Sequence, residues 1–400
     1  MTKIAFKTIG CRLNQAETED LIQQFRQAGY QIASPKQASD CFVINTCSVT
    51  HVAARKSRQA LREYKNRNPE AKIAVLGCAA DELKSLPEID LAIPNAHKAS
   101  AFNSIGEAFD MRSDRAISKS DLTNRTRPLI KIQDGCDEYC TYCVVPFLRG
   151  KSRSIPDSEI LAKIKKYEQA GAQEIILTGV HIGQYDTCLA NLVKEILAQT
   201  KIPRIRLSSI EPQHLSDEIL ALFANPRICD FLHIPIQSGS DKILQVMQRK
   251  YSVSDINKLL RKIRRAIPNI FLATDIIVGF PGETDKDFLE TYNFCEANNF
   301  AKMHVFSYSK REGTKAAKFS DQINPKIIRE RSQKLRRLSD RLQAKYLEQF
   351  MGQQVEVLTE TETTGIVKEG VKVFWDEVRK PNSVFLAQAR TLVDNKIKVK

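Results

Sequence analysis

The sequence has little that would tie it to a membrane. No apolar run approaches the ~20 residues that a membrane-spanning helix needs. The opening "MTKIAFKTIG" alternates like a strand, with no basic segment followed by an apolar run, so it does not read as a secretory signal. A cytoplasmic location is the expectation. There is also no repeat of fixed period, no low-complexity tract and no sustained heptad pattern. Acidic residues are in deficit, 47 against 61 Lys plus Arg, which leaves a net charge of +14. That excess favours polyanionic partners, although a solvated basic face gives the same count. With 400 residues, 42% of them hydrophobic, the chain can bury two or three cores.

Strands alternating with helices dominate, the pattern of an α/β chain whose parallel sheets carry helices on their faces. The first domain, residues 1–110, reads "KIAFKTIG", then a helix around Ala16–Ala28. "CFVINT" follows, with a helix around His51–Asn66, and then "KIAVLG". Residues 111–128, including "MRSDRAISKSDLTNRTRP", lack apolar periodicity and read as a linker ending at Pro128. In 129–350 six strand candidates alternate with helices: "LIKIQDG", "EIILTGV", "RIRLSSIEP", "FLHIPIQSG", "FLATDIIVGFPG" and "KMHVFSYS". Six such units suit a partial (β/α)6 barrel, with its site at the C-terminal strand ends. An open doubly wound sheet is the alternative. Asn324-Pro325 then opens a long helix. Residues 351–400 carry short strand patterns and form a small β module.

Ten cysteines in a cytosolic chain are poor material for disulfides and better suited to metal or redox work. Three of them, Cys136, Cys140 and Cys143, crowd into "CDEYCTYC" just after the first strand of the six-unit domain. Such a loop can hold three irons of a 4Fe–4S cubane and leave the fourth iron open. A structural zinc site usually wants four ligands, and no fourth Cys or His follows at suitable spacing.

A second set is dispersed along the chain but equivalent in placement. Cys11, Cys47 and Cys78 each follow a strand, in "KTIGCRLN", "VINTCSVT" and "AVLGCAAD". Ligands of open α/β sheets lie outside the C-terminal strand ends, so neighbouring strands would bring these thiols to one crevice and a second open cluster. Buried packing cysteines are the alternative, and Cys41, Cys188, Cys229 and Cys295 are expected to be that.

The loop "CDEYCTYC" resembles the signature of radical S-adenosylmethionine (SAM) enzymes, and the six βα units are similar to that family's partial barrel. The resemblance implies that the open iron chelates SAM, whose reductive cleavage yields a 5′-deoxyadenosyl radical. It also places Thr178 and Gly179 near the methionine amino group, Gln237 and Ser238 near the ribose, and Gly279 near the adenine. Two open clusters followed by a β module resemble the methylthiotransferases, which spend one SAM as radical source and another as methyl donor. That family's C-terminal module is an RNA-binding barrel of the TRAM kind. The segment here, "ETTGIVKEGVKVFW", departs from its usual pattern.

Within the family, "GCRLNQAETE", "NTCSVTHVAARKSRQ", "RGKSRS", "LTGVHIGQY", "RLSSIEP" and "HVFSYSKREGT" are similar to the branch acting on N6-threonylcarbamoyladenosine. The implied reaction adds a methylthio group to C2 of that nucleoside at position 37, beside the anticodon. Isopentenyladenosine as substrate, or a non-catalytic zinc-stabilised RNA-binding protein, are the alternatives. The implied partners are a tRNA anticodon stem-loop and an electron donor such as a flavodoxin or ferredoxin, with no membrane. Residues 310–345 hold twelve basic and four acidic side chains, and Arg149, Lys151 and Arg153 follow the cysteine loop; both could meet phosphate.

Overall fold

The first strands are buried on both faces, which is why they read as near-continuous apolar runs rather than alternating ones. In the computed structural model, which describes residues 2–111 and 125–400, they form a five-stranded parallel sheet. Its members are β1 (Lys3–Thr8), β2 (Gln31–Ala33), β3 (Cys41–Thr46), β4 (Lys72–Gly77) and β5 (Leu91–Ile93), in the order β2-β1-β3-β4-β5. All six residues of β3 are buried. On one face, Phe6, Val43 and Leu76 pack with Phe25 and Leu21 of helix Arg12–Gln27. On the other, Phe42, Ile44 and Val75 pack with Leu61 and Tyr64 of helix His51–Arg67. The Phe25 ring has no exposed area, so its burial stabilises the unit by about 2–3 kcal/mol.

Two compact units share the chain. The first takes the N-terminal sheet and its helices, with Asp134–Glu138 and Cys143–Ser152. The second takes Arg125–Gln133, Tyr139–Tyr142 and Arg153–Lys400. Most of the expected linker, 112–124, lies outside the described residues.

In the second unit the six expected strands are present. They are β6 (Leu129–Lys131), β7 (Glu174–Thr178), β8 (Arg204–Leu207), β9 (Phe231–His233), β10 (Phe271–Val278) and β11 (Lys302–Ser307). They pair in parallel as β8-β7-β6 and β9-β10-β11. Bridges Ile205↔Ile228 and Ser209↔His233 link the two sets beyond the named strands. The strand order is therefore sequential, with no point where it reverses, as a partial barrel requires and a doubly wound sheet forbids.

The C-terminal segment is a closed barrel of β12 (Gln354–Thr359), β13 (Thr364–Val367), β14 (Lys372–Phe374), β15 (Val384–Val393) and β16 (Lys396–Val399). It does not stand apart from the larger barrel. Val357, Val373 and Trp375 join one core with Phe231, Phe271 and Phe350. A charge network with a buried Arg206–Glu174 pair at its centre runs alongside. Arg206 is 2.7 Å from Glu174, Arg127 is 2.5 Å from Glu360, and Arg204 pairs with Glu356. Burial opposes the charged form of Glu174, yet the adjacent Arg206 and Arg127 hold its carboxyl below the usual range. The boundary expected at residue 351 thus falls in the chain but not in the packing.

Candidate metal and cofactor site

The sheet order of the first unit decides the placement of the dispersed cysteines. β1, β3 and β4 are neighbours, so Cys11, Cys47 and Cys78 leave three adjacent strands at the same edge. Adjacent strands stand about 4.8 Å apart, within the span of a cubane's ligands. Cys11 and Cys47 also flank the place where the order 2-1-3-4-5 reverses direction, the usual ligand crevice of such sheets.

Local backbone chemistry holds the three loops together. Gly10, at φ +117°, stands so close to Cys47 that an added Cβ would meet the Cys47 Cβ at 2.7 Å. Gly77, at φ +100°, would meet the Asn45 side chain and the Thr46 carbonyl at the same distance. Glycine is needed before both cysteines, for conformation and for space. Asn14 Nδ2 donates to the carbonyls of Ile9 and Thr46, both at 2.9 Å, and so ties the Cys11 loop to the Cys47 loop. Ser48 Oγ donates to the Cys78 carbonyl at 2.8 Å.

The thiols themselves fit a metal cluster. Cys47 and Cys78 are buried while Cys11 is exposed. Burial pushes the Cys47 thiol up to about 11; the Cys78 and Cys11 thiols add to that shift, against the Val49 amide and Arg149. Three cysteines at adjacent strand ends form a donor set of the kind that holds an iron–sulfur cluster. Asn95 Nδ2 donates to Cys78 Sγ at 3.3 Å and to the Leu148 carbonyl at 3.1 Å.

Arg149 anchors the segment after the clustered cysteines within this same unit. Its guanidinium lies 2.6 Å from Asn14 Oδ1, 3.0 Å from Glu17 and 2.9 Å from Asp134. Lys98 meets the other side of Glu17 at 2.5 Å. Burial lowers the Lys98 pKa, with Glu17 opposing the shift. For Arg149 burial works the same way, but Glu17 and Asp134 outweigh it and its pKa stands above the ordinary value. The arginine expected to meet phosphate is therefore buried, 4% exposed at its side chain, and serves as an internal clasp.

Of the clustered cysteines, Cys136 and Cys143 belong to the first unit and Cys140 to the second. Cys136 Sγ accepts from the Glu138 amide at 3.5 Å, and Cys140 Sγ accepts from Arg249 at 3.2 Å. Arg249 is held by Glu211 and by Tyr251 Oη at 2.7 Å. Donors aimed at sulfur are the kind of outer partner that orients a metal-ligating side chain. Thr141 fixes the loop by donating from its amide and hydroxyl to the carbonyls of Met247 and Val246, at 3.2 and 3.0 Å.

The expected SAM residues all lie in the second unit at strand ends. Thr178 closes β7, and Gly179 follows it against Gln133. Gln237 has φ 75°, and its backbone pairs with β10 through Asp275 and Ile277. Ser238 is fully enclosed, its hydroxyl 3.2 Å from Thr291 Oγ1 and accepting from the Ser240 amide, so it braces the turn. The Gly279 amide donates to the Glu283 carboxylate at 3.1 Å, and Arg331 holds that carboxylate from the other side at 2.5 Å. Cys41, Cys229 and Cys295 are buried as expected, but Cys188 is exposed, at the start of helix Leu189–Gln199. Asn95 and Arg249 carry no sequence signal; only the folded chain brings them to sulfur.

The chain is similar to known proteins. The Radical SAM superfamily model matches residues 130–295, and that of the Uncharacterized protein family UPF0004 matches 3–93. The threonylcarbamoyladenosine tRNA methylthiotransferase MtaB of Bacillus subtilis (strain 168) is 37% identical, covering 90% of this chain and 85% of its own. The relative of the same name in Aquifex aeolicus (strain VF5) is 35% identical, covering 89% and 92%. The chain belongs to the radical SAM methylthiotransferases. A third family member, the tRNA-2-methylthio-N(6)-dimethylallyladenosine synthase of Endomicrobium trichonymphae, is 36% identical and covers 92% of each chain. The solved radical S-adenosylmethionine methyltransferase TsrM of Kitasatospora setae matches the fold with a TM-score of 0.55 at 12% identity, over 76% of this chain and 73% of its own. As a family member the methylthiotransferase works with SAM and 4Fe–4S clusters, two of them in this family. No helix among the described residues is long and apolar enough to cross a membrane.

Proposed function

We propose that this methylthiotransferase converts N6-threonylcarbamoyladenosine, at position 37 of tRNA, to its 2-methylthio derivative. The observation that carries the reading is the pairing of two thiol sets on different architectures, one on three parallel strand ends and one in a short loop. When bound, the two clusters and SAM supply what an aromatic C–H demands: a radical to remove the hydrogen and a methylated sulfur to replace it.

The protein's part is placement. Cys11, Cys47 and Cys78 would hold the sulfur-bearing cluster, and Cys136, Cys140 and Cys143 the SAM-binding one. Thr178, Gly179, Gln237 and Gly279 offer strand-end backbone and side-chain groups to SAM, while Ser238 supports their turn. On helix Pro325–Glu348, Lys334, Arg337, Arg341 and Lys345 fall at i, i+3, i+7 and i+11, one exposed basic stripe. On the adjoining flank of the helix, Leu335, Leu338 and Leu342 are buried. Such a stripe suits the phosphates of an anticodon stem-loop. Reducing equivalents would come from a small flavodoxin- or ferredoxin-like donor.

The segments "GCRLNQAETE" and "LTGVHIGQY" favour the threonylcarbamoyl substrate over the isopentenyl one. Mass spectrometry of tRNA nucleosides from cells lacking the protein tests the choice. Loss of 2-methylthio-N6-threonylcarbamoyladenosine is expected. Loss of the isopentenyl derivative instead would overturn the branch.

A further inference from the structure

Two histidines and an aspartate outside both cysteine sets meet across three adjacent strands. Asp275 of β10 and His304 of β11 are register partners. His233 of β9 partners Ala273, which stands two residues before Asp275 and so on the same face. His233 Nε2 lies 2.9 Å from Asp275 Oδ1, and the rings of His233 and His304 are 5.4 Å apart. One ligand atom from each of the three residues falls within 4.8 Å of the others. On the far side of the His233 ring, Ser209 Oγ is 2.7 Å from Nδ1.

A Ser–His–Asp chain by itself needs no further explanation than mutual satisfaction of polar groups. His304 is what exceeds that account. It is exposed, its ring lies against that of His233, and it stands at the register position that completes a ligand set. His233 and Asp275 are also reachable, 16% and 22% exposed at their side chains. Two imidazoles and one carboxylate, with coordination positions left over, form the donor set of zinc and non-haem iron sites.

We propose that His233, Asp275 and His304 bind a divalent cation of the zinc or ferrous class, with open positions for an oxygen ligand. His233 coordinates through Nε2, so its ring proton resides on Nδ1 and is donated to Ser209 Oγ. That outer hydrogen bond fixes tautomer and ring orientation, as it does for most metal-bound histidines. His304 closes the remaining distance by rotation of its exposed side chain. The site uses no cysteine, so it stands or falls separately from the substrate assignment.

The test uses anaerobically reconstituted holoenzyme, exposed to Zn2+, desalted, and analysed for zinc content and zinc X-ray absorption. About one zinc per chain is expected, with nitrogen and oxygen ligands and no sulfur. His304→Ala and Asp275→Asn should each weaken zinc binding about tenfold or more, and Ser209→Ala by about 10–100-fold. Unchanged iron content and circular dichroism in these variants would establish that they fold; His304→Gln serves if His304→Ala does not. Zinc bound to sulfur, zinc lost on desalting, or equal retention by the folded His304 and Asp275 variants would overturn the proposal.

Discussion

Asn95 links Cys78 to the segment after the cysteine loop, with its amide nitrogen 3.3 Å from Cys78 Sγ and 3.1 Å from the Leu148 carbonyl. It is 8% exposed, so neither bond competes freely with water. Hydrogen bonds to ligand sulfur draw charge from the cluster and raise its potential.

Asn95→Leu removes that donor while leaving a side chain of similar size. If Cys11, Cys47 and Cys78 hold a cluster as proposed, it should still assemble, with a midpoint potential more negative than that of the parent. Product formation should fall about 10–100-fold, the usual cost of losing an outer-shell partner. Redox titration followed by electron paramagnetic resonance is the measurement; an unshifted potential would count against the role.

Cys47→Ala should separate the two cysteine sets. Iron should drop from about eight to about four per chain, by cubane stoichiometry. Reductive cleavage of SAM should persist while tRNA product disappears. Cys140→Ala should abolish that cleavage. Anaerobic iron analysis and detection of 5′-deoxyadenosine distinguish the two.

Arg149→Met leaves Glu17 and Asp134 buried without their shared cation, although Lys98 still serves Glu17. Removing one partner of a buried ion pair typically costs about 3–5 kcal/mol. Denaturant unfolding should show the loss, and Arg149→Lys should recover little because one ammonium cannot reach Asn14, Glu17 and Asp134 together.

Glu174→Gln tests the charge network shared by the barrel and the C-terminal module, with a comparable loss of about 3–5 kcal/mol from leaving Arg206 unpaired. Because the folded carboxyl titrates below its ordinary value, its contribution is complete above about pH 4.3 and fades as pH falls through the depressed pKa. Deleting residues 351–400 is a harsher version. It strips Val357, Val373 and Trp375 from Phe231 and Phe271, so instability of the whole second unit is expected, not merely weaker RNA binding.

Replacing Lys334, Arg337 and Lys345 with Ala should weaken tRNA binding at all sequences alike. If each meets one phosphate, the slope of log affinity against log salt should shrink by roughly 2–3. An unchanged slope would place the RNA elsewhere.

The helices that sequence marked most clearly are those with caps and long apolar periods. Ser252 and Asp255 form a reciprocal capping box, and the helix Val253–Ala266 follows directly. Strands were less even. β2 and β5 are three-residue edge strands whose pairing comes from their neighbours rather than from any pattern of their own. "FLHIPIQSG" looked continuous, but regular pairing covers only Phe231–His233, because Pro235 has no amide to donate.

Cysteine spacing belongs to the chain itself: three thiols within eight residues are neighbours in any fold, and the loop needed no tertiary context to suggest a cluster. The repeated strand-then-cysteine pattern raised the second set as a question that sequence could pose but not answer. Only the order of the parallel strands brought Cys11, Cys47 and Cys78 to one edge, since chain separation says nothing of which strands pair. Tertiary structure likewise decided that Arg149 faces carboxylates instead of phosphate, and that His233, Asp275 and His304 share a face. Short-range chemistry is written in spacing, whereas convergence of distant side chains depends on register and on which surfaces exclude water together.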